Sequence, residues 1–288
     1  VDLGLPDMSF SEAAAAGADS VVIGVAPSGG ALKAEWVAVL TEAIRSGLSL
    51  VSGLHRKLTE EYELVKAADA SGQQLIDIRV PPASIPIATG RQRSGKRLLM
   101  VGTDCCVGKK YSALSLHKAL QERGVAATFR ATGQTGILIS GGGIPMDAVV
   151  SDFLSGAAET LTPDSASDHW DVIEGQGSLF HPAYAAVTLG LLHGSQPDAM
   201  VLCHGSGRTV IDEYEDFPVP DLRECVTQYE QAARVTNRQS SIVGISLNTQ
   251  GLSDTEALSA CRDASTLTGL PCVDPMRHTL DSILDALP

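Results

Sequence analysis

Aromatic side chains make up only 4% of this 288-residue chain. Positive charge is also scarce, with 21 lysines and arginines against 34 aspartates and glutamates and a net charge of −13. Single-stranded nucleic acid calls for stacking rings in a basic groove, and a membrane surface calls for a basic face. The composition supplies neither, so neither partner is expected. No apolar run is long enough to span a bilayer. The six cysteines, Cys105, Cys106, Cys203, Cys225, Cys261 and Cys272, contain no CxxC and no Cys/His set with zinc spacing. They read as free thiols in a reducing cytoplasm. A full GxGxxG is missing too. The Ser28-Gly-Gly30 turn is only an echo of one, and it reads as lining a cleft or mediating assembly.

What is present is the composition of a compact α/β protein: 44% apolar, 19% charged, rich in Gly, Ala, Leu and Val. The length suits two domains. In the first, short apolar runs at 19–27, 48–53 and 75–79 alternate with amphipathic stretches at 33–46 and 58–68. This pattern predicts a Rossmann-like parallel sheet. The chain opens at Val1 in mid-stride, and the expectation is a first domain completed by residues upstream. Pro81-Pro-Ala-Ser-Ile-Pro86 and the basic 90–97 segment break the alternation, so we divide the chain into 1–85 and 86–288. In the second part, strands are predicted at 98–102, 126–130, 170–174, 199–203, 241–246 and 271–274. A helix is predicted from Lys109 to Arg123, a glycine-rich turn at 131–136, a helix carrying Asp147 and Asp152, and a terminal helix. In an open parallel sheet, ligands sit outside the carboxyl ends of the strands.

One of those ends carries Gly102-Thr103-Asp104-Cys105-Cys106-Val107-Gly108-Lys109-Lys110-Tyr111. Strand, glycine loop, Gly-Lys and helix together make a phosphate loop, in which backbone N–H groups and Lys109 face an anion. Phosphoryl transfer places a magnesium-binding hydroxyl directly after that lysine. Here the residue is Lys110, which repels a cation and neutralises a phosphate instead. The loop therefore suits a phosphorylated cofactor not cleaved at phosphorus, such as coenzyme A. The other reading leaves Lys110 in solvent and gives a metal to Ser112 or Asp104.

The loop resembles the GTDxxVGKT of dethiobiotin synthetases, and Val172-Ile-Glu174-Gly-Gln-Gly177 resembles their VEGAGG segment. The wider set joins a Rossmann-like domain to GTDCxxGK, RATGQTG, GxPxDAVxxDFxxGAAE, EGQGSLxHP and CHxxGR. By these motifs, which run along essentially the whole chain, it resembles the DgcN-type D-glutamate N-acetyltransferase family, long described only as of unknown function. The resemblance implies a P-loop NTPase-like second domain, acetyl-CoA as acetyl donor and a D-amino acid as acceptor, and the reading of Lys110 without a metal fits it. The expected partners are small molecules, and the expected setting is a cytoplasmic homo-oligomer.

Acyl transfer to an amine needs a base and stabilisation of an oxyanion. Glu174, at the end of an apolar strand, is the leading base, with His181 and His204 as rivals. Arg130 and Arg208 are candidate carboxylate clamps; either could hold a CoA phosphate. Gly133, Gln134 and Thr135 offer backbone N–H groups and a side-chain amide, and Asp147 offers a charge for the substrate ammonium. Cys105 and Cys106 invite an acetyl-cysteine intermediate. Small residues are also simply what such a loop accommodates, and that is the reading we favour. A magnesium-dependent ligase or kinase, and a non-catalytic nucleotide or CoA sensor, remain the alternative functions.

Overall fold

The computed structural model describes residues 4–25 and 32–288. The Ser28-Gly-Gly30 turn lies outside the described residues. The chain divides into two units, Val1–Val80 and Pro81–Pro288.

In the first unit, α1 (Phe10–Ala15) begins at Ser9, which forms a reciprocal capping box with Glu12. Next come β1 (Ser20–Ile23), α2 (Ala34–Arg45), β2 (Ser49–Ser52), α3 (Tyr62–Ser71) and β3 (Leu75–Asp77). The three strands pair in parallel in the order β1-β2-β3. Leu40, Ala43 and Ile44 of α2 recur at helical spacing and pack with Leu50, Leu58 and Leu64 in this unit's own core.

The second unit comprises β4 (Lys96–Gly102), α4 (Lys109–Glu122), β5 (Ala127–Arg130), α5 (Gln134–Ser140), α6 (Leu154–Leu161), β6 (Trp170–Ile173) and α7 (Ala185–Ser195). It continues with β7 (Ala199–Gly205), the strands β8 (Val210–Ile211) and β9 (Tyr214–Pro218), α8 (Leu222–Ala233), β10 (Ser241–Asn248), α9 (Asp254–Thr268), β11 (Cys272–Val273) and α10 (Asp281–Leu284). Six strands form one parallel sheet in the order β11-β10-β7-β4-β6-β5. The central β4 alternates between two cores: Leu99 and Val101 join one, Leu98 and Met100 the other. A strand buried on both faces reads as a continuous apolar run rather than an alternating one, as Leu98 to Val101 does. Strand order reverses at β4, which places its carboxyl end at the switch point where such sheets bind ligands.

Two expected elements differ. The segment holding Asp147 and Asp152 forms two single 3₁₀ turns, Met146–Ala148 and Ser151–Phe153. Between them, Val149 is extended at φ −84° and ψ 135°, a conformation that β-branched Val149 and Val150 favour. The turn predicted at 131–136 also gives way to helix from Gln134 onward, and that helix ends at Gly141 with φ 74°.

Candidate active site

Four strand ends meet around one cavity of about 510 Å³. The loop after β4 contributes Cys105, Cys106, Gly108, Lys109, Lys110 and Tyr111, and the loop after β5 contributes Gly133, Gln134 and Thr135. The loop after β6 supplies Glu174 to Gly177, and the end of β10 supplies Asn248 and Gln250. A second cavity of about 300 Å³, mostly apolar, shares Gly108, Tyr111, Asn248 and Gln250 and extends to Pro275 and Met276.

The phosphate loop is held from below and behind. Gly102 lies opposite Cys203 in the sheet, and Thr103 N–H donates to the Cys203 carbonyl at 3.0 Å. The Thr103 hydroxyl pairs with His204 Nδ1 at 2.8 Å. Asp104, fully buried, accepts from Arg208 Nη1 at 2.7 Å, the Asp212 N–H at 2.8 Å and the Cys105 N–H at 2.6 Å. Lys109 is buried and donates to the Asp104 carbonyl at 2.7 Å. Burial holds its ammonium below the usual lysine range, so an incoming phosphate would stabilise its charged form. Lys110 Nζ stands over the Tyr111 ring at 4.8 Å from the centroid. Ser112 is turned under the loop, bonded to Ser246 at 2.7 Å and to the Gly108 carbonyl at 3.0 Å.

Glu174 is only 4% exposed. Its Oε2 accepts from the N–H groups of Thr132 at 2.9 Å and Gly133 at 3.1 Å. Burial raises its pKa, while those two N–H groups and then Lys110 and Lys109 oppose the rise. A buried carboxylate in a cleft, pushed toward its neutral form, is what a general base working near neutrality requires. The backbone around it must be glycine at close range. A side-chain carbon at Gly136 would strike Oε2, and one at Gly175 would strike the Met100 carbonyl.

Among the other residues singled out from the sequence, the structure gathers some and separates the rest. Gln134 and Thr135 face the cavity, but the Gly133 N–H is committed to Glu174. Arg130 leaves the cavity and pairs with the buried Asp171 at 2.7 Å. Arg208 pairs with Asp104, as above, and lies 3.5 Å from Asp212. His204 opens onto a different hollow lined by Leu222, Leu247 and Leu267. Burial, followed by Arg208, lowers its pKa. Asp147 is exposed in its 3₁₀ turn and does not line the cavity.

His181 is buried between the rings of Tyr184, 4.5 Å away, and Tyr214, 5.0 Å away. Its Nδ1 accepts from the Ala183 N–H at 3.1 Å, so the neutral ring carries its proton on Nε2. Asp104, Cys105 and His181 bring ligand-type atoms within 4.8 Å of one another. The carboxylate there already accepts from Arg208 and two N–H groups, and Lys109 adds a further positive charge, a poor setting for a cation. Burial pushes the Cys105 thiol up to about 11, the opposite of an activated nucleophile. Gln176, Asn248 and Gln250 were not selected from the sequence. Gln176 sits inside the EGQG motif, and its amide donates to the Thr132 hydroxyl at 3.2 Å. The other two follow an apolar strand, where the strand-end rule alone could have found them.

The family model for the DUF1611 C-terminal domain, a P-loop domain of unknown function, matches residues 86–284. The model for the DUF1611 N-terminal domain, described as Rossmann-like, matches residues 1–81. A D-glutamate N-acetyltransferase from Tritonibacter scottomollicae is 51% identical over 286 residues, 99% of this chain and 86% of that protein. A D-glutamate N-acetyltransferase from a Pseudoalteromonas species is 49% identical over 284 residues, again 99% of this chain and 86% of the relative. The crystal structure of a DUF1611 family protein from Anabaena variabilis matches with a TM-score of 0.90 and 38% identity, covering 97% of this chain and 82% of the other.

Proposed function

This chain belongs to the DUF1611 family, and we propose that it is an acyltransferase that moves the acetyl group of acetyl-CoA onto the amine of D-glutamate or a closely related D-amino acid. The observation that carries this reading is the pairing, in one cavity, of a phosphate loop that ends in Lys109-Lys110 with the buried carboxylate of Glu174. Two relatives named for that activity, each about half identical over 99% of this chain, support it.

In this reading the anionic end of the donor lies against α4 and the two lysines, where backbone N–H groups and the positive helix end favour phosphate. The adjoining apolar cavity beside Tyr111 and Met276 has room for the adenosine end. Glu174 accepts the amine proton as nitrogen bonds to the thioester carbon. The carbon–sulfur bond then breaks, and the proton passes to the departing thiolate. No enzyme–acetyl bond is needed, in keeping with the raised pKa of Cys105. Lys110 takes the place of a metal as counter-charge, because Ser112 and Asp104 are both already bonded within the protein. The Gln134 and Gln176 amides are donors within reach of substrate oxygens. The six free thiols fit a reducing, cytoplasmic setting, and we propose a homo-oligomer there, which light scattering would test.

The deciding assay is thiol release from acetyl-CoA with D-glutamate, L-glutamate or no acceptor, each with and without EDTA. Release that requires D-glutamate and persists in EDTA is expected, and Lys109→Ala and Lys110→Ala should each raise the acetyl-CoA KM. No release with any acceptor, together with magnesium-dependent ADP formation from ATP, would instead establish the ligase or kinase reading. Tight acetyl-CoA binding with no turnover would leave a sensor.

A further inference from the structure

We propose that the Tyr229 hydroxyl is a positioning group that fixes the spacing between the phosphate loop and the loop carrying Glu174. Its consequence for turnover rests on the reading of that cavity as the acetyl-CoA site. Tyr229 lies on α8, in line with Leu222, Cys225 and Ala233, the other buried residues of that helix. It is fully buried, and a phenylalanine would fill the same space in this apolar core. The hydroxyl must therefore answer to something else. Burial raises its pKa, so it stays a neutral phenol that both donates and accepts.

Its partners explain it. The O–H donates to the Gly102 carbonyl at 2.7 Å and accepts from the Leu179 N–H at 3.1 Å and the Gly102 N–H at 3.4 Å. Gly102 is both the last residue of β4 and the first of the phosphate loop. On its β7 side, β4 stays paired as far as Gly102 opposite Cys203. On its β6 side, pairing stops at Leu99 opposite Ile173. There β6 ends, and the chain turns off through Glu174-Gly-Gln-Gly177 toward Leu179. Past this point no ladder pairing joins the two loops, and the Tyr229 hydroxyl links Gly102 of one to Leu179 of the other. Phe180 closes the arrangement with its ring edge-on to Tyr229, centroids 5.6 Å apart at 85°. A buried hydroxyl that satisfies backbone groups of both loops leaves them unsatisfied when removed, and the loops must then shift to find other partners.

The test compares Tyr229→Phe with Phe180→Leu. The first keeps the ring and loses the bridge; the second keeps the bridge and loses the ring contact. Tyr229→Phe should raise the acetyl-CoA KM about tenfold, on the order of the penalty for leaving a buried backbone group unsatisfied. Amide exchange at Leu179 should also become about tenfold faster, with the β7 amides Met200–Leu202 unchanged. Phe180→Leu should leave the acetyl-CoA KM within about twofold of wild type. An unchanged Leu179 exchange rate overturns the proposal, as does an unchanged KM or an equal KM rise in both variants. The exchange measurement needs no turnover. If the wild-type protein failed to acetylate D-glutamate, the functional reading would fall while exchange at Leu179 still decided whether the bridge exists.

Discussion

Glu174 combines two opposed demands, and both can be measured. Burial raises its pKa above the usual 4.5, against the pull of the Thr132 and Gly133 N–H groups. In the folded protein the carboxyl thus holds its proton to higher pH than in the unfolded chain. The stability this provides is fully present below the unfolded pKa and is lost as pH rises through the folded one. Glu174→Gln cannot ionise, and its amide oxygen can still accept from the same two N–H groups. Its Tm should therefore exceed that of wild type at pH 8, with the difference closing toward pH 4. Its kcat should meanwhile fall by about 10²- to 10⁴-fold, the usual scale for a lost general base. A lower Tm at pH 8, or near-native kcat, would remove Glu174 as the buried base. At this scale the sequence was partly legible. Lys109, Lys110 and Glu174 announce themselves by motif and strand end. The fates of Arg130 and Arg208 do not, because their partners Asp171 and Asp104 lie 41 and 104 residues away in the chain.

Arg208 also shows what an element does that a residue reading misses. It stands between β7 and the short strands β8 and β9, and it reaches Asp104 at the floor of the phosphate loop. The backbone of Asp212, between the same two strands, reaches that carboxylate as well. The hairpin thus braces the loop, and the guanidinium is engaged by the protein's own carboxylate. Arg208→Ala would leave the buried Asp104 carboxylate with two N–H donors and the nearby Lys109 but no direct counter-ion, a loss of about 1–3 kcal/mol. A fall in Tm is therefore expected, together with a raised acetyl-CoA KM and an unchanged D-glutamate KM. A selective rise in the D-glutamate KM would restore Arg208 as the substrate clamp. Long apolar strands such as β4, β7 and β10 were readable because they are continuous runs. This hairpin was not, since Thr209 to Pro218 mixes acidic and apolar residues without a clean alternation, and Pro218 lies in a strand paired with only one other. The segment around Asp147 misled for a related reason. Its composition suits a helix, but the β-branched pair Val149-Val150 divides it into two turns.

For the whole molecule, the alternation of strands and helices made the α/β class legible. The strand order was not, because it depends on crossovers that no local pattern records. The residues argued to bind and react all fall in the second unit, which buries two apolar clusters of its own around one six-stranded sheet. The first unit has a separate cluster around Leu40, Ile44, Leu50 and Leu64. A unit with its own core and about 200 residues is large enough to fold alone. Residues 81–288 expressed by themselves should unfold in one cooperative transition and bind acetyl-CoA with a Kd within about tenfold of the full chain, each tenfold being about 1.4 kcal/mol. Calorimetric titration of the fragment checks this. A folded fragment that does not bind acetyl-CoA would mean the phosphate loop is not a sufficient anchor, and the account of Lys109 and Lys110 would have to be replaced. If it binds without turning over, anchoring of the donor and catalysis are separable properties of the chain.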